Sequence, residues 1–143
     1  MMEKPRFFTS IAVRYSETDM QGHVFFGEYY NYFDVALVEY IKAVGYGMTQ
    51  FLSEGVDFFY VESQCRYKSR AVFDDVLHVH ATVSHMGNTS FKFSFVIVQE
   101  DSERLVATGH IVAVAVEKET GKPVTVPQGF RQAVAHFEER PLS

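Results

Sequence analysis

The period of the apolar positions changes once along the chain. Tyr29, Phe33, Ala36, Leu37, Tyr40, Ile41 and Val44 recur at helical spacing and mark one apolar face of a helix over 29–44. Gly45 and Gly47 follow and predict its end. From Val56 onward the pattern becomes that of strands, predicted over 58–69, 76–86, 90–100 and 104–117. Within the third of these, Phe91, Phe93, Phe95 and Ile97 alternate onto one face. The fourth carries IVAVAV, apolar on both faces, as expected of a central, well-covered strand. Gly87-Asn88, the residues DSER at 101–104 and a turn over 119–122 punctuate the series. A first strand is predicted over 7–14, a short helical turn over 48–54 and a final short helix over 128–138.

One long helix followed by several long antiparallel strands is an α+β pattern. A sheet with one apolar face must cover it, and the 29–44 helix is the only element large enough to do so. A curved antiparallel sheet wrapped around that helix is the economical solution. At 143 residues the chain is long enough to bury a real core as a single domain over 1–143. No linker, repeat or low-complexity run divides it.

A hydrophobic share of 47%, with aromatics at 15%, excludes a disordered chain. The net charge of −5 argues against nucleic acid as the main partner. The lone cysteine, Cys65, allows no internal disulfide, in keeping with a cytoplasmic location. The first residues, MMEKPRFFTS, lack a secretory signal's apolar core, and no stretch is long and apolar enough to span a membrane.

The candidate chemistry concentrates in 15–29, YSETDMQGHVFFGEY. An acidic loop runs into a glycine, an aromatic turn and then the long helix. This order puts Asp19 just before a helix N-terminus, where unpaired backbone N–H groups and the positive dipole end gather. A carboxylate there can attack a carbonyl or activate water while N–H groups hold the developing oxyanion, which suits acyl transfer. The alternative is that Thr18 and Asp19 only order a turn or cap the helix.

The T-D-x-x-G-H-V motif with its aromatic helix resembles the entry motif of hotdog-fold acyl-CoA thioesterases, in particular the 4-hydroxybenzoyl-CoA thioesterase-like branch. The resemblance covers most of the chain. It continues through CRYKSRAVFDDVLHVHATV and GNTSFKFSF and ends with TGKPVTVPQGF, similar to the family's closing strand, Lys-Pro turn and last helix. It implies the hotdog fold, Asp19 as the catalytic carboxylate, and sheets paired edge to edge into a homodimer at minimum, with a homotetramer favoured. The active site would lie at the dimer interface. The expected activity is hydrolysis of an acyl-CoA to free acid and CoA, with no cofactor, coenzyme A being part of the substrate. Asp19 would act as nucleophile or as general base, and the backbone N–H groups of Phe26 and Gly27 would hold the oxyanion.

Phe26 departs from the family pattern, where many relatives of this branch carry histidine and the 4-hydroxybenzoyl-CoA enzyme carries tyrosine. Its ring can do no acid–base work, but its backbone donor survives the change. Glu28 replaces the usual asparagine and either orients the loop or serves as a favourable anion in the first helical turn. His23 is a candidate for binding substrate or assisting proton transfer, against a histidine that only hydrogen-bonds the loop. Ser63 and Gln64 lie on the strand that such folds bring near the facing subunit's site, and are candidates for positioning water.

Arg66, Lys68 and Arg70 alternate and would share one strand face, where CoA phosphates could meet them, or which water simply solvates. The family's basic cluster at the next turn is replaced here by the uncharged Gly87-Asn88-Thr89. His78 and His80 form an H-x-H pair with no third ligand nearby in sequence, so no metal is expected. Cys65 lacks a nucleophile signature and reads as a buried strand residue, and the Phe91, Phe93, Phe95 stripe reads as core or interface. Two further classes stay open. One is a hotdog dehydratase or hydratase, which usually employs a catalytic histidine; the other is a non-catalytic acyl-CoA-binding module.

Overall fold

The computed structural model describes residues 3–139. In chain order they form β1 (Phe8–Ala12), a 3-10 turn (Tyr15–Glu17), α1 (Glu28–Val44), α2 (Met48–Ser53), β2 (Val56–Tyr67), β3 (Val76–Met86), β4 (Ser90–Gln99), β5 (Leu105–Glu117) and α3 (Gln128–Glu138). All strand pairings are antiparallel and the sheet order is β1-β3-β4-β5-β2. The five-stranded sheet curves around α1, the hotdog arrangement that the α+β pattern and the resemblance both lead one to expect.

The periodic residues do what their spacing predicts. Tyr29, Phe33, Ala36, Leu37, Tyr40 and Ile41 are all buried on one face of α1. Phe91, Phe93, Phe95 and Ile97 meet them from β4, each essentially without solvent exposure. The Phe33 and Phe95 rings stack with centroids 4.5 Å apart and planes at 14°, and Tyr40 stands edge-on to Phe93. Each such buried aromatic is worth about 1.5–3 kcal/mol relative to leaving it in water. Gly45 ends α1 with φ of 90°, and its N–H reaches the carbonyls of Ile41 and Lys42.

How closely α1 lies on the sheet is set by a missing side chain. Gly109 of β5 stands between Phe95 on β4 and Cys65 on β2. A Cβ there would lie 2.6 Å from the Phe33 ring and 2.5 Å from the Gln64 carbonyl oxygen. The ring therefore fills the notch that glycine leaves.

β2 is an edge strand, paired on one side only, with β5. It bulges between Tyr60 and Glu62, and Phe59, Tyr60 and Val61 stay 55%, 50% and 60% exposed. The strand begins earlier than its sequence pattern predicts and ends at Tyr67, because the N–H groups of Lys68 and Ser69 both turn to the Val106 carbonyl. The expected stripe of Arg66, Lys68 and Arg70 on one regular strand face is thereby corrected. Alternation stops before Lys68, so only Arg66 keeps a strand position.

His78 and His80 lie on regular β3 but turn to different partners. The His78 Nε2 lies 3.0 Å from the Glu100 carboxylate, and the His80 Nδ1 lies 2.7 Å from the Pro5 carbonyl. Cys65 is half-buried, and burial pushes its thiol pKa up. No helix among the described residues is long and apolar enough to cross a membrane.

The Gly109 notch gives the first prediction. Gly109→Ala must displace the Phe33 ring or the β2 backbone, and overpacking of this kind costs about 1–3 kcal/mol. Urea unfolding should show a lowered midpoint with an unchanged slope; wild-type stability would mean that the notch does not constrain the helix.

Candidate active site

The motif begins where β1 ends. Residues Tyr15–Glu17 form a 3-10 turn that brings Glu17 inward, to 6% exposure. Both of its carboxylate oxygens are used. Oε1 accepts the Arg14 N–H at 2.9 Å and the Tyr32 hydroxyl at 2.9 Å, and Oε2 accepts the Arg14 Nε and Nη2 at 2.8 Å each. Burial pushes the Glu17 carboxyl up, but these hydrogen bonds and the Arg14 charge outweigh it and hold the group below the ordinary carboxylate range. Tyr32 is driven the other way, chiefly by its own burial and then by the adjacent carboxylate.

Beyond Glu17 the chain doubles back on itself. Thr18 bridges to Val24, the Asp19 N–H donates to the His23 carbonyl at 3.0 Å, and the Phe25 N–H donates to the Glu17 carbonyl at 2.9 Å. The tight end is closed by the Gly22 N–H on the Asp19 carbonyl, with Gly22 at φ of 83°, a conformation that suits glycine. Asp19 therefore sits on a small hairpin that directly precedes the start of α1. The N-cap is Gly27, and α1 starts at Glu28.

One carboxylate oxygen of Asp19 accepts the Gln21 N–H at 2.9 Å, an Asx turn of the kind the alternative reading invoked. Its Oδ2 has no partner among the described residues. Directly after the hairpin, neither the Phe26 nor the Gly27 N–H meets an acceptor among the described residues. A half-exposed carboxylate and two free donors at a helix start thus belong to one short stretch of chain.

The Phe26 carbonyl accepts the Tyr67 hydroxyl at 2.8 Å, tying the turn to the end of β2. Between them opens a cavity of about 250 Å³, bordered by His23, Phe26, Tyr29, Tyr67, Lys68 and Arg70. Tyr29 is buried and meets the Tyr67 ring edge-on at 5.2 Å. The His23 Nδ1 lies 3.2 Å from the Val24 carbonyl; an imidazole donating there leaves its Nε2 free to accept. Glu28 accepts a hydrogen bond from the Asn31 side chain at 2.8 Å, within the first turn of α1. Of the predicted residues, His23, Phe26, Lys68 and Arg70 therefore share one cavity, and Arg66 does not border it. Asp19 and Gly27 do not border it either, and Ser63 and Gln64 stand exposed on the β2 edge, also outside it.

Residues 13–134 match the family model of the thioesterase-like superfamily. The chain belongs to that superfamily, and it is a thioester hydrolase. It is 25% identical over 129 residues to the acyl-CoA thioester hydrolase YbgC of Escherichia coli O157:H7, spanning 90% of this chain and 93% of that one. A crystal structure of a hypothetical protein from Aquifex aeolicus superposes with a TM-score of 0.82 at 26% identity, over 90% of this chain and 98% of that chain. A Staphylococcus aureus protein solved in complex with CoA has the same fold, with a TM-score of 0.86 at 17% identity, over 100% of this chain and 90% of that chain.

Within this thioesterase-like chain, sequence reasoning missed Glu17, Tyr32 and Tyr67. Glu17 stood in plain view inside Y-S-E-T-D, but nothing local says that it is buried. Its hydroxyl partner comes from the helix, and neither helical nor strand periodicity relates the two positions.

Glu17 gives a pH prediction. A carboxyl depressed in the folded state contributes stability above its unfolded pKa, near 4.5, and loses it as pH falls through the lower folded value. Glu17→Gln should cost about 2 kcal/mol at neutral pH, the scale of a hydrogen bond to a charged group. The gap between variant and wild type should narrow as urea titrations move below pH 4.5. A gap independent of pH would show that the carboxylate charge is not what holds the turn.

Proposed function

We propose that this thioesterase hydrolyses an acyl-CoA with Asp19 as its catalytic carboxylate. The observation that carries the proposal is the unpartnered Oδ2 of Asp19, on a hairpin that leads straight into the free N–H groups of Phe26 and Gly27. The similarity to YbgC, an acyl-CoA thioester hydrolase, supports the substrate class.

As a nucleophile, Asp19 attacks the thioester carbonyl carbon. The carbonyl oxygen becomes a tetrahedral oxyanion held by the two backbone donors, and the C–S bond then breaks. The CoA thiolate leaves and takes a proton, and water hydrolyses the resulting acyl anhydride. As a general base, Asp19 instead removes a proton from the attacking water, and the same donors hold the same oxyanion. Phe26 serves through its backbone alone. His23, which borders the cavity, would bind substrate or relay a proton there through Nε2 in the tautomer whose Nδ1 donates to the Val24 carbonyl. Lys68 and Arg70 supply two cations for the CoA phosphates from the same cavity wall. Ser63 and Gln64, on the open edge, would act only across a subunit interface.

The assembly follows from β2. A long edge strand with Phe59, Tyr60 and Val61 half-exposed or more is a template for pairing, and a second copy of this edge would cover it. We assign a homodimer at minimum, with a homotetramer as the favoured state.

Asp19→Asn should keep the fold and lower thiol release from the best acyl-CoA of a panel by at least about 100-fold, the scale of a lost positioned base. Near wild-type turnover would remove Asp19 from the mechanism, and binding without turnover by the wild type would favour a non-catalytic module. For assembly, light scattering should report a dimer or larger at micromolar concentration, and Val61→Lys on the edge should shift it toward monomer. A stable wild-type monomer would contradict both the interface and the role given to Ser63 and Gln64.

A further inference from the structure

We infer that Glu17 is a positioning residue for thioester cleavage: it locks the Asp19 hairpin to the start of α1, so that carboxylate and oxyanion donors keep one fixed mutual geometry. The inference rests on the reading of Asp19 given above.

Glu17 is bonded to the end of β1, to the far side of the hairpin and to α1. Its backbone N–H donates to the Arg14 carbonyl at 2.9 Å, holding it to the end of β1. Its backbone carbonyl accepts the Phe25 N–H at 2.9 Å, on the residue immediately before the donor pair. Its side chain accepts the Tyr32 hydroxyl at 2.9 Å, one turn into the helix whose start carries those donors. The next residue, Thr18, is pinned twice to the Tyr15 carbonyl, by its N–H at 3.0 Å and its hydroxyl at 2.7 Å, and Asp19 follows it. Glu17 thus ties Phe25, just before the donor pair, to Tyr32 on α1, and leads through Thr18 to Asp19 along the chain.

Stability alone does not call for a carboxylate in this place. Burying an ion is unfavourable until its hydrogen bonds are supplied, and a well-packed apolar side chain commonly serves a core as well or better. What the carboxylate adds is direction. Two oxygens engage four donors, from Arg14 and from Tyr32, and this fixes the side chain in rotation as well as in place. Glu17 does not border the cavity of His23 and Phe26, so its effect on the reaction is indirect.

The test compares Glu17→Gln and Tyr32→Phe with wild type and with Asp19→Asn, in one thiol-release assay on the best acyl-CoA. Tyr32→Phe is the gentler variant, since it deletes only the hydroxyl and keeps the buried ring that packs edge-on against Tyr29. Rates are measured well below each variant's Tm. Both variants should lower kcat by about 10–100-fold, the scale of a misplaced catalytic group, with KM little changed. Folded variants with a lowered Tm and wild-type kcat would make Glu17 a stabilising residue only and overturn the proposal. A raised KM with intact kcat would overturn it equally, by moving the effect to substrate binding. If Glu17→Gln does not fold, Tyr32→Phe decides alone, and unchanged kcat in it sinks the idea. An active Asp19→Asn would remove the reading of Asp19 itself and this proposal with it, whereas an inactive Asp19→Asn beside fully active Glu17 and Tyr32 variants would remove this proposal alone.

Discussion

The seating of Phe33 in the notch above Gly109 governs where everything else goes. The sheet can bury its apolar face only against α1, and the glycine lets the helix approach until the Phe33 ring stacks on Phe95. Once that contact is made, the helix cannot slide along the sheet without driving the ring into strand backbone. Its first turn is then fixed relative to the ends of β1 and β2, and so are the unpaired N–H groups of Phe26 and Gly27. A packing constraint in the core thus sets the place of polar groups at the surface.

Local chemistry then builds outward from that fixed point. The hairpin carrying Asp19 is anchored in the core by Val24, whose N–H also reaches the Ala71 carbonyl. It is held further by backbone bonds across its own width and by the buried carboxylate of Glu17, whose partners come from the preceding turn and from α1. Arg14 and then the Tyr32 hydroxyl hold the Glu17 carboxyl down, while burial and then the adjacent carboxylate push the Tyr32 phenol up. On the far side, the Tyr67 hydroxyl clasps the Phe26 carbonyl and closes the wall of the cavity. The candidate site is therefore assembled from three separate stretches of chain.

The fold also leaves one face unfinished. β2 ends the sheet with an unpaired edge and exposed aromatic residues, while every other strand has a neighbour on each side except β1. The same strand carries Ser63 and Gln64 outward and brings Tyr67 to the cavity, where Lys68 and Arg70 join it from the turn that follows.

Much of the architecture was legible without coordinates, because helical and strand periods report directly which face of an element is apolar. The bounds Val76–Met86 and Gln128–Glu138 agree with the pattern residue for residue, and the alternating phenylalanines of β4 are core as their spacing implies. The motif around Asp19 was legible too, as a run of residue types. Its geometry was not. Local order put Asp19 just before the helix, and the cross-loop bonds that fold it onto a hairpin there are not written in that order. Strict alternation grouped Arg66 with Lys68 and Arg70, whereas the shared Val106 carbonyl ends the ladder and leaves Arg66 behind. Glu17 looked like one more loop acid until Tyr32 arrived from the helix to bury it. The sequence by itself determined which faces must be covered, since that depends on neighbours a few residues away. The tertiary structure decided which polar groups meet, since a hydrogen bond depends on partners that only the packed helix and sheet bring within reach.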